Sequence, residues 1–309
     1  MIGLDLLRCS CGGTLRRDKN IRCDRCAKTY ELRDGVIDFR HDHAYTESFS
    51  VQWNKHRQTQ VDSRGYQSGY PGEVNSRVSF HRKTMLAPEE LRDKIVLDAG
   101  CGVGRYAEIV APHAGLLICV DLSEAVYHCA ELLRAQGFKN ALCLRADLAS
   151  LPLANEAVDV AYSIGVIHHT AEPARTLAEL RRIVKAGGTF AGWVYAHQPS
   201  YDHPRREAFR RFTADPQNWN WVWQLAELAP LLRDLYQADR QTGWPMMMQV
   251  LGISSSTNDE ECKLDTFDWL TCRYQYQYTE AEFNALLTAA GFATIQNGFV
   301  PVNFKATRP

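Results

Sequence analysis

The chain has 309 residues, 45% of them hydrophobic, with 35 basic against 36 acidic side chains and a formal net charge of −1. That is enough apolar material for one large domain with appendages or two modest ones, and the balanced charge gives no bulk drive towards nucleic acid or an anionic membrane surface, although a local basic patch is not excluded. No stretch approaches the roughly 18–20 apolar residues of a membrane helix, and the first seven residues are too short for a signal peptide before the cysteines begin, so a cytoplasmic location without membrane association is expected.

Four of the ten cysteines fall in the first 26 residues, as Cys9-Ser-Cys11 and Cys23-Asp-Arg-Cys26. Two knuckles giving four thiolates make a closed tetrahedral zinc site. A unit of some 40 residues cannot build an adequate apolar core, so the metal would supply folding energy. The first knuckle is one residue short of Cys-x-x-Cys, and Gly12-Gly13 gives the loop freedom to compensate. Residues 30–39 read as strand, turn, strand. The other six cysteines, Cys101, Cys119, Cys129, Cys143, Cys262 and Cys272, are scattered singly and read as buried thiols in a reducing compartment.

The chain divides into a ribbon over 1–40, a polar and aromatic lid or linker over 41–90, and a main domain over 91–309 with an insert at 199–275. In the main domain, 94–99 is a buried strand, followed by a glycine turn and a helix over 105–111 stopped by Pro112. Residues 116–121 form a second strand, and Ser123 is the expected N-cap of a helix ending near Gly137. Strands are expected over 141–145 and 158–163. Pro173 opens a helix running to about 185, Gly187-Gly188 stops it, and 189–195 is the fifth strand. Short apolar strands alternating with helices imply a parallel α/β sheet with helices on both faces.

The run Asp98-Ala-Gly-Cys-Gly-Val-Gly104 sits at the first strand-to-helix turn. Glycines there accept positive φ and let the backbone approach a ligand. A phosphate cradle leaves its anion on the helix N-terminus. An Asp just before the glycines would repel a pyrophosphate but suits an amino group or a sulfonium. Asp121 ends the second strand, where a carboxylate can accept both hydroxyls of a ribose. Asp147 follows the third, placed to take a proton from an adenine amino group. Each Asp taken alone reads equally well as a helix or loop cap; three at neighbouring strand tips read as a nucleoside site.

These residues resemble the class I, Rossmann-like S-adenosylmethionine-dependent methyltransferases, nearest the ubiquinone/menaquinone-type subgroup. The phrases that carry the resemblance are Val-Leu-Asp-Ala-Gly-Cys-Gly-Val-Gly-Arg at 96–105, Asp121-Leu-Ser, Ala-Asp-Leu-Ala-Ser-Leu-Pro at 146–152, and Asp-Val-Ala-Tyr-Ser-Ile-Gly-Val-Ile-His-His at 159–169. The resemblance implies a seven-stranded, mostly parallel sheet whose last strand is antiparallel, with 280–290, 293–297 and 302–306 as closing helix and strands. It places Asp98, Gly100 and Gly102 about the methionine moiety of the cofactor, with Ala99, Cys101 and Ser163 as further cofactor-binding residues. Asp121 and Leu122 would serve ribose and adenine, and Asp147 and Leu148 the adenine. The first 40 residues similarly resemble short zinc ribbons, with Cys9, Cys11, Cys23 and Cys26 as ligands. A closed site of that kind is not catalytic, so packing is its expected role and docking the alternative.

Methyl transfer is an in-line displacement at a sulfonium, so alignment and exclusion of water can supply much of the catalysis. Should the acceptor carry a proton that must leave, the candidates for its base are His168 and His169; in this family a histidine here also serves packing. Tyr195 should face the same crevice, more as a wall than as a base, its ordinary pKa being about 10. The lid candidates are Gln52, Trp53, Tyr66, Tyr70, Arg77, Phe80 and His81, with Arg77 or Arg82 holding the cofactor carboxylate. The insert carries Trp219, Trp221, Trp223, Trp244, Met246-Met-Met248 and Trp269, which favours an apolar or aromatic acceptor. Its Arg205, Arg206, Arg210 and Arg211 read as a solvated helix face.

The expected activity is therefore S-adenosylmethionine-dependent methylation of a small-molecule acceptor, with S-adenosylhomocysteine as product and structural zinc. The competing readings are an RNA or protein methyltransferase that reads its substrate through the ribbon, a non-catalytic cofactor-binding protein, and other S-adenosylmethionine chemistry on the same fold. The acceptor atom and the oligomeric state are not encoded legibly.

Overall fold

A computed structural model describes residues 2–40, 44–198, 204–238 and 251–309. The N-terminal strands are short: β1 (Leu15–Arg17), β2 (Ile21–Cys23), β3 (Thr29–Arg33) and β4 (Val36–Asp38), each antiparallel to the next. Helices α1 (Glu47–Lys55) and α2 (Ser76–Thr84) follow. Then come β5 (Ile95–Ala99), a short α3 (Ala107–Val110), β6 (Leu116–Asp121), α4 (Ala125–Ala135), β7 (Ala141–Arg145), β8 (Val158–Ile164), α5 (Pro173–Ile183) and β9 (Val184–Trp193). The remainder holds α6 (Pro204–Thr213), α7 (Trp219–Ala238), α8 (Asp259–Thr271), α9 (Glu280–Ala289), β10 (Ala293–Gln296) and β11 (Asn303–Thr307).

The strands form one eleven-stranded sheet in the order β1-β2-β3-β4-β7-β6-β5-β8-β9-β11-β10. Parallel pairing runs from β4 to β9, and β11 returns antiparallel on β9. The sheet is thus larger than the seven strands expected. The difference lies at one edge: β4 docks parallel on β7, with Val36 opposite Cys143 and Asp38 opposite Arg145, so the N-terminal strands extend the sheet instead of sitting apart. A bare edge of unpaired amides and carbonyls is a costly surface, and β4 covers it.

The near-continuous apolar runs of β5, β6 and β8 fit strands buried on both faces. On one face, Val96, Leu117, Cys119 and Tyr162 meet Phe80 of α2, Val110 of α3 and Val126, Cys129 and Leu133 of α4. On the other, Leu97, Ile118, Leu144 and Phe190 meet Leu177 and Leu180 of α5, Phe283 of α9, and Leu7, Ile21, Tyr30 and Phe39 of the N-terminal unit. Helix starts follow local chemistry. Pro173 opens α5, and Thr279 with Glu282 forms a capping box on α9.

Several boundaries differ from expectation. The helix after the glycine turn is only four residues long. Ser123 precedes α4 by two residues, its Oγ accepting from Ala125 N–H at 3.3 Å. Gly187 and Gly188 lie inside β9, which starts at Val184 and ends before Tyr195.

Candidate active site

After β5 the backbone passes through Gly100 and Gly102 at φ 90° and 51°. A Cβ at Gly100 would stand 2.3 Å from a Val166 methyl, so only glycine fits. A Cβ at Gly102 would meet nothing nearer than the Trp53 ring at 3.9 Å, because that side of the turn opens on a cavity. Asp121, at the tip of β6, holds the turn in place. Its Oδ2 accepts from Gly102 N–H at 2.9 Å and its Oδ1 from Ser123 N–H at 2.8 Å and Ser123 Oγ at 2.6 Å. Burial pushes this carboxyl up, and those hydrogen bonds pull against it.

The cavity has a volume of about 640 Å³. Gly100, Cys101, Gly102, Asp121, Leu122 and Leu148 line its floor. Gly165 and Val166 flank it, α1 contributes Phe49, Gln52 and Trp53, and α8 contributes Glu261, Leu264, Asp265, Asp268 and Trp269. His169 and Tyr195 are on its wall. The structure therefore brings together most of the residues singled out from sequence, at the carboxyl ends of the strands where open α/β sheets take ligands.

Other candidates sit a layer away. Asp98 faces the α2–α4 side beneath the turn, almost fully buried against Tyr162, and burial pushes its carboxyl well above the usual range. Ser163 gives its hydroxyl to the Ala99 carbonyl at 2.8 Å, a brace between β8 and β5. Asp147 lines a neighbouring cavity beside the N-terminal unit, and its Oδ1 accepts from Ala149 N–H at 2.9 Å.

The two histidines part company. His168 is fully buried off the cavity wall, and its Nδ1 accepts from Tyr195 N–H at 3.3 Å. Burial and the adjacent His169 hold its pKa well below the ordinary range, so the ring stays neutral. His169 Nδ1 meets the Tyr274 carbonyl at 2.8 Å, and its Nε2 stands 3.9 Å from Asp268 Oδ2. Burial works against its charge, but Cys272, Asp268 and the Tyr274 carbonyl outweigh it and push the pKa up to about 9. Raised in this way, the ring favours its charged form, which donates at both nitrogens. Burial also keeps the Tyr195 phenol protonated. Its oxygen accepts from Trp269 Nε1 at 3.1 Å and lies 3.4 Å from Asp268.

The cationic side chains on the wall are not those expected. Arg77 pairs with Glu89 on the surface, and Arg82 reaches the Pro71 carbonyl. Arg105 and Lys83 line the cavity instead, 3.6 and 2.9 Å from Glu73. Arg105 was legible as the residue just after Gly104, at the one turn where the chain must face the ligand; Lys83 carried no such signal. The acids of α8 carried no motif of their own, and their common face emerges only with the helix over Asp259–Thr271 and its packing on the cavity. Trp219 and Trp223 pack on Phe267, and Phe80 is core. Tyr70 lines the cavity, Tyr66 bonds Glu261, and His81 meets the Leu86 carbonyl. Arg206 is buried, Arg210 reaches the Cys272 carbonyl at 3.2 Å and, among the described side chains of this cluster, only Arg211 is well exposed, so this is no uniform solvated face. Trp244, Met246–Met248 and the side chain of Arg205 lie outside the described residues.

Comparison with known proteins bears on the class of the central block. Residues 97–192 match the methyltransferase domain family. A chloroplastic methyltransferase of Arabidopsis thaliana is 24% identical over 204 residues, 60% of this chain and 55% of that protein. A Mycobacterium tuberculosis protein named for S-adenosylmethionine-dependent methyl transfer is 37% identical over 94 residues, 30% of this chain and 32% of that protein. The crystal structure of an S-adenosylmethionine-dependent methyltransferase from Aquifex aeolicus covers 74% of this chain and 90% of its own at 17% identity and a TM-score of 0.41. The chain spans about half the length of the first curated relatives it matches. The central block thus has the α/β Rossmann-like methyltransferase fold, with the family match confined to residues 97–192.

Proposed function

We propose that this chain transfers a methyl group from S-adenosylmethionine to a small-molecule acceptor and releases S-adenosylhomocysteine. The observation that carries the reading is Asp121 clamping an open glycine turn at the floor of the cavity. Bound there, the cofactor supplies a methyl group already activated on a sulfonium. Gly100 and Gly102 let the backbone approach the methionine end, with the carboxyl of Asp98 one layer below them. The Asp121 carboxylate, already aimed by two backbone amides, accepts the ribose hydroxyls. Leu122 and Leu148 flank the adenine, with Asp147 beside them for its amino group. Arg105 takes the place proposed for a carboxylate-binding arginine. His169, held protonated, serves to orient rather than deprotonate. Motif wording favours the ubiquinone/menaquinone-type subgroup.

The N-terminal unit fits zinc. The Sγ atoms of Cys9 and Cys26 are 3.5 Å apart, as are those of Cys11 and Cys23, and all four lie within 4.8 Å of one another. Four thiolates at about 2.3 Å around one ion would stand roughly 3.8 Å apart. All ten cysteines are unbridged. No helix among the described residues is long and apolar enough to cross a membrane.

Titration calorimetry with S-adenosylhomocysteine tests the reading. The natural chain takes up one equivalent, and Asp121→Ala weakens binding by about a hundredfold, the worth of two charge-assisted hydrogen bonds. Affinity retained within a few-fold in the variant removes Asp121 from the ribose site. No uptake by a folded natural chain removes the cofactor reading itself.

A further inference from the structure

On α8, Glu261, Asp265 and Asp268 are spaced by four and three residues, so they share one face of the helix, and that face lines the cavity. Glu73 and Asp121 bring the acids on the wall to five, against Lys83, Arg105 and His169. The two fixed cations are drawn to Glu73. Glu261 is held by Tyr66, by Gly69 N–H at 2.8 Å and by Ser256 Oγ at 2.7 Å. Asp265, among the described residues, receives hydrogen bonds only from the neutral hydroxyls of Tyr70 and Ser254. Asp268 shares His169 at 3.9 Å with Tyr195 at 3.4 Å.

A second observation points the same way. Gln52 is 3% exposed and lines the cavity, and its amide hydrogen-bonds Asp268, yet its Oε1 has no donor among the described residues. That oxygen can only accept, so the cavity asks for a donor from outside. Burial raises the carboxyl groups of Asp265 and Asp268, Asp265 strongly because Glu261 stands beside it, while His169 and Arg210 pull Asp268 part of the way back. Tyr195, Trp269 and Phe49 add aromatic faces to the same wall, surfaces that favour a cation. An anionic acceptor would meet repulsion from these acids, and a purely apolar one would leave them buried and unmatched.

Building on the proposed methyltransferase reading, we infer that the acceptor is an amine-bearing compound. Its ammonium group is taken by Asp268 and Asp265 together with the Gln52 carbonyl. This names the class of acceptor and departs from the apolar or aromatic compound that the tryptophan content suggested, since Trp219 and Trp223 spend their rings on the α7–α8 packing.

The test uses the full chain saturated with S-adenosylhomocysteine, so that the cofactor's own ammonium site is already filled. Tyramine, 4-ethylphenol and 4-hydroxyphenylacetate share one ring and differ in the charge of the tail. Calorimetric binding of tyramine is expected to be about tenfold tighter than that of either analogue. Asp268→Asn, and separately Gln52→Leu, should bring tyramine close to 4-ethylphenol. Equal or tighter binding of the neutral or acidic compound by the natural chain overturns the inference, as does failure to bind tyramine at all. The comparison among the three probes stands even where a variant does not fold. Failure of the chain to load S-adenosylhomocysteine in the first place counts against the methyltransferase reading instead.

Discussion

The N-terminal unit and the central sheet reach order by different physics. In the central sheet, β5, β6, β7 and β8 are almost wholly buried, and burial at about 25 cal/mol per Å² of apolar surface is the main stabilising term. In the N-terminal unit, three of four strands are three residues long, and the alternation of β2 and β3 leaves every second side chain in solvent. Such a unit is anchored at two places: the four converging thiols and the edge of someone else's sheet. Arg8 N–H also donates to the Pro152 carbonyl, and Ala154 N–H to that of Leu6. The contrast teaches that a small unit can borrow a core it does not contain, and that the proposed metal would then fix geometry as much as it supplied energy.

The strongest way to break this comparison is Cys23→Ser. It should abolish stoichiometric zinc in the purified protein and raise amide exchange across residues 2–40 towards unfolded rates, while β5, β6 and β8 stay protected. Unchanged metal content, or uniform loss of protection across both regions, would show that the two do not differ as described. A subtler probe sits in the central domain. His169 has its folded pKa raised from 6.5 to about 9, so the folded chain holds this proton more tightly than the unfolded one. Its stabilisation is full below about pH 6.5 and fades as pH rises through about 9. His169→Gln should flatten that part of a stability–pH curve, and a curve of unchanged shape would reject the raised pKa that Cys272, Asp268 and the Tyr274 carbonyl give this ring. The smallest effect is expected at the junction. Arg145 is nearly buried, reaches the Leu122 carbonyl at 3.1 Å and Glu124 at 3.5 Å, and stands 3.9 Å from Asp38 of β4. Asp38→Asn leaves the first two contacts and should cost about 1 kcal/mol in denaturant unfolding. An unchanged midpoint would separate the two regions energetically.

Much of this molecule is written in short runs of sequence. The alternation of buried strands and helices, the glycine turn at 100–104, Asp121 at a strand tip and the four N-terminal cysteines all depend on neighbours within a few residues, so spacing alone reveals them. Gly100 is glycine because its φ and the adjacent Val166 permit nothing else, and the local motif already announced a turn. What spacing could not show is which surfaces meet. That β4 joins β7 rather than leaving a free ribbon depends on edge pairing over about a hundred residues of chain. That the pKa of His169 is pushed up depends on Cys272, Asp268 and the Tyr274 carbonyl, all supplied from beyond the sheet. That Arg105 and Lys83 rather than Arg77 face the cavity depends on Glu73 drawing two cations inward. Secondary structure and backbone motifs are short-range consequences of sterics and periodicity. Charge states and cavity walls are set by long-range burial, which only the folded chain decides.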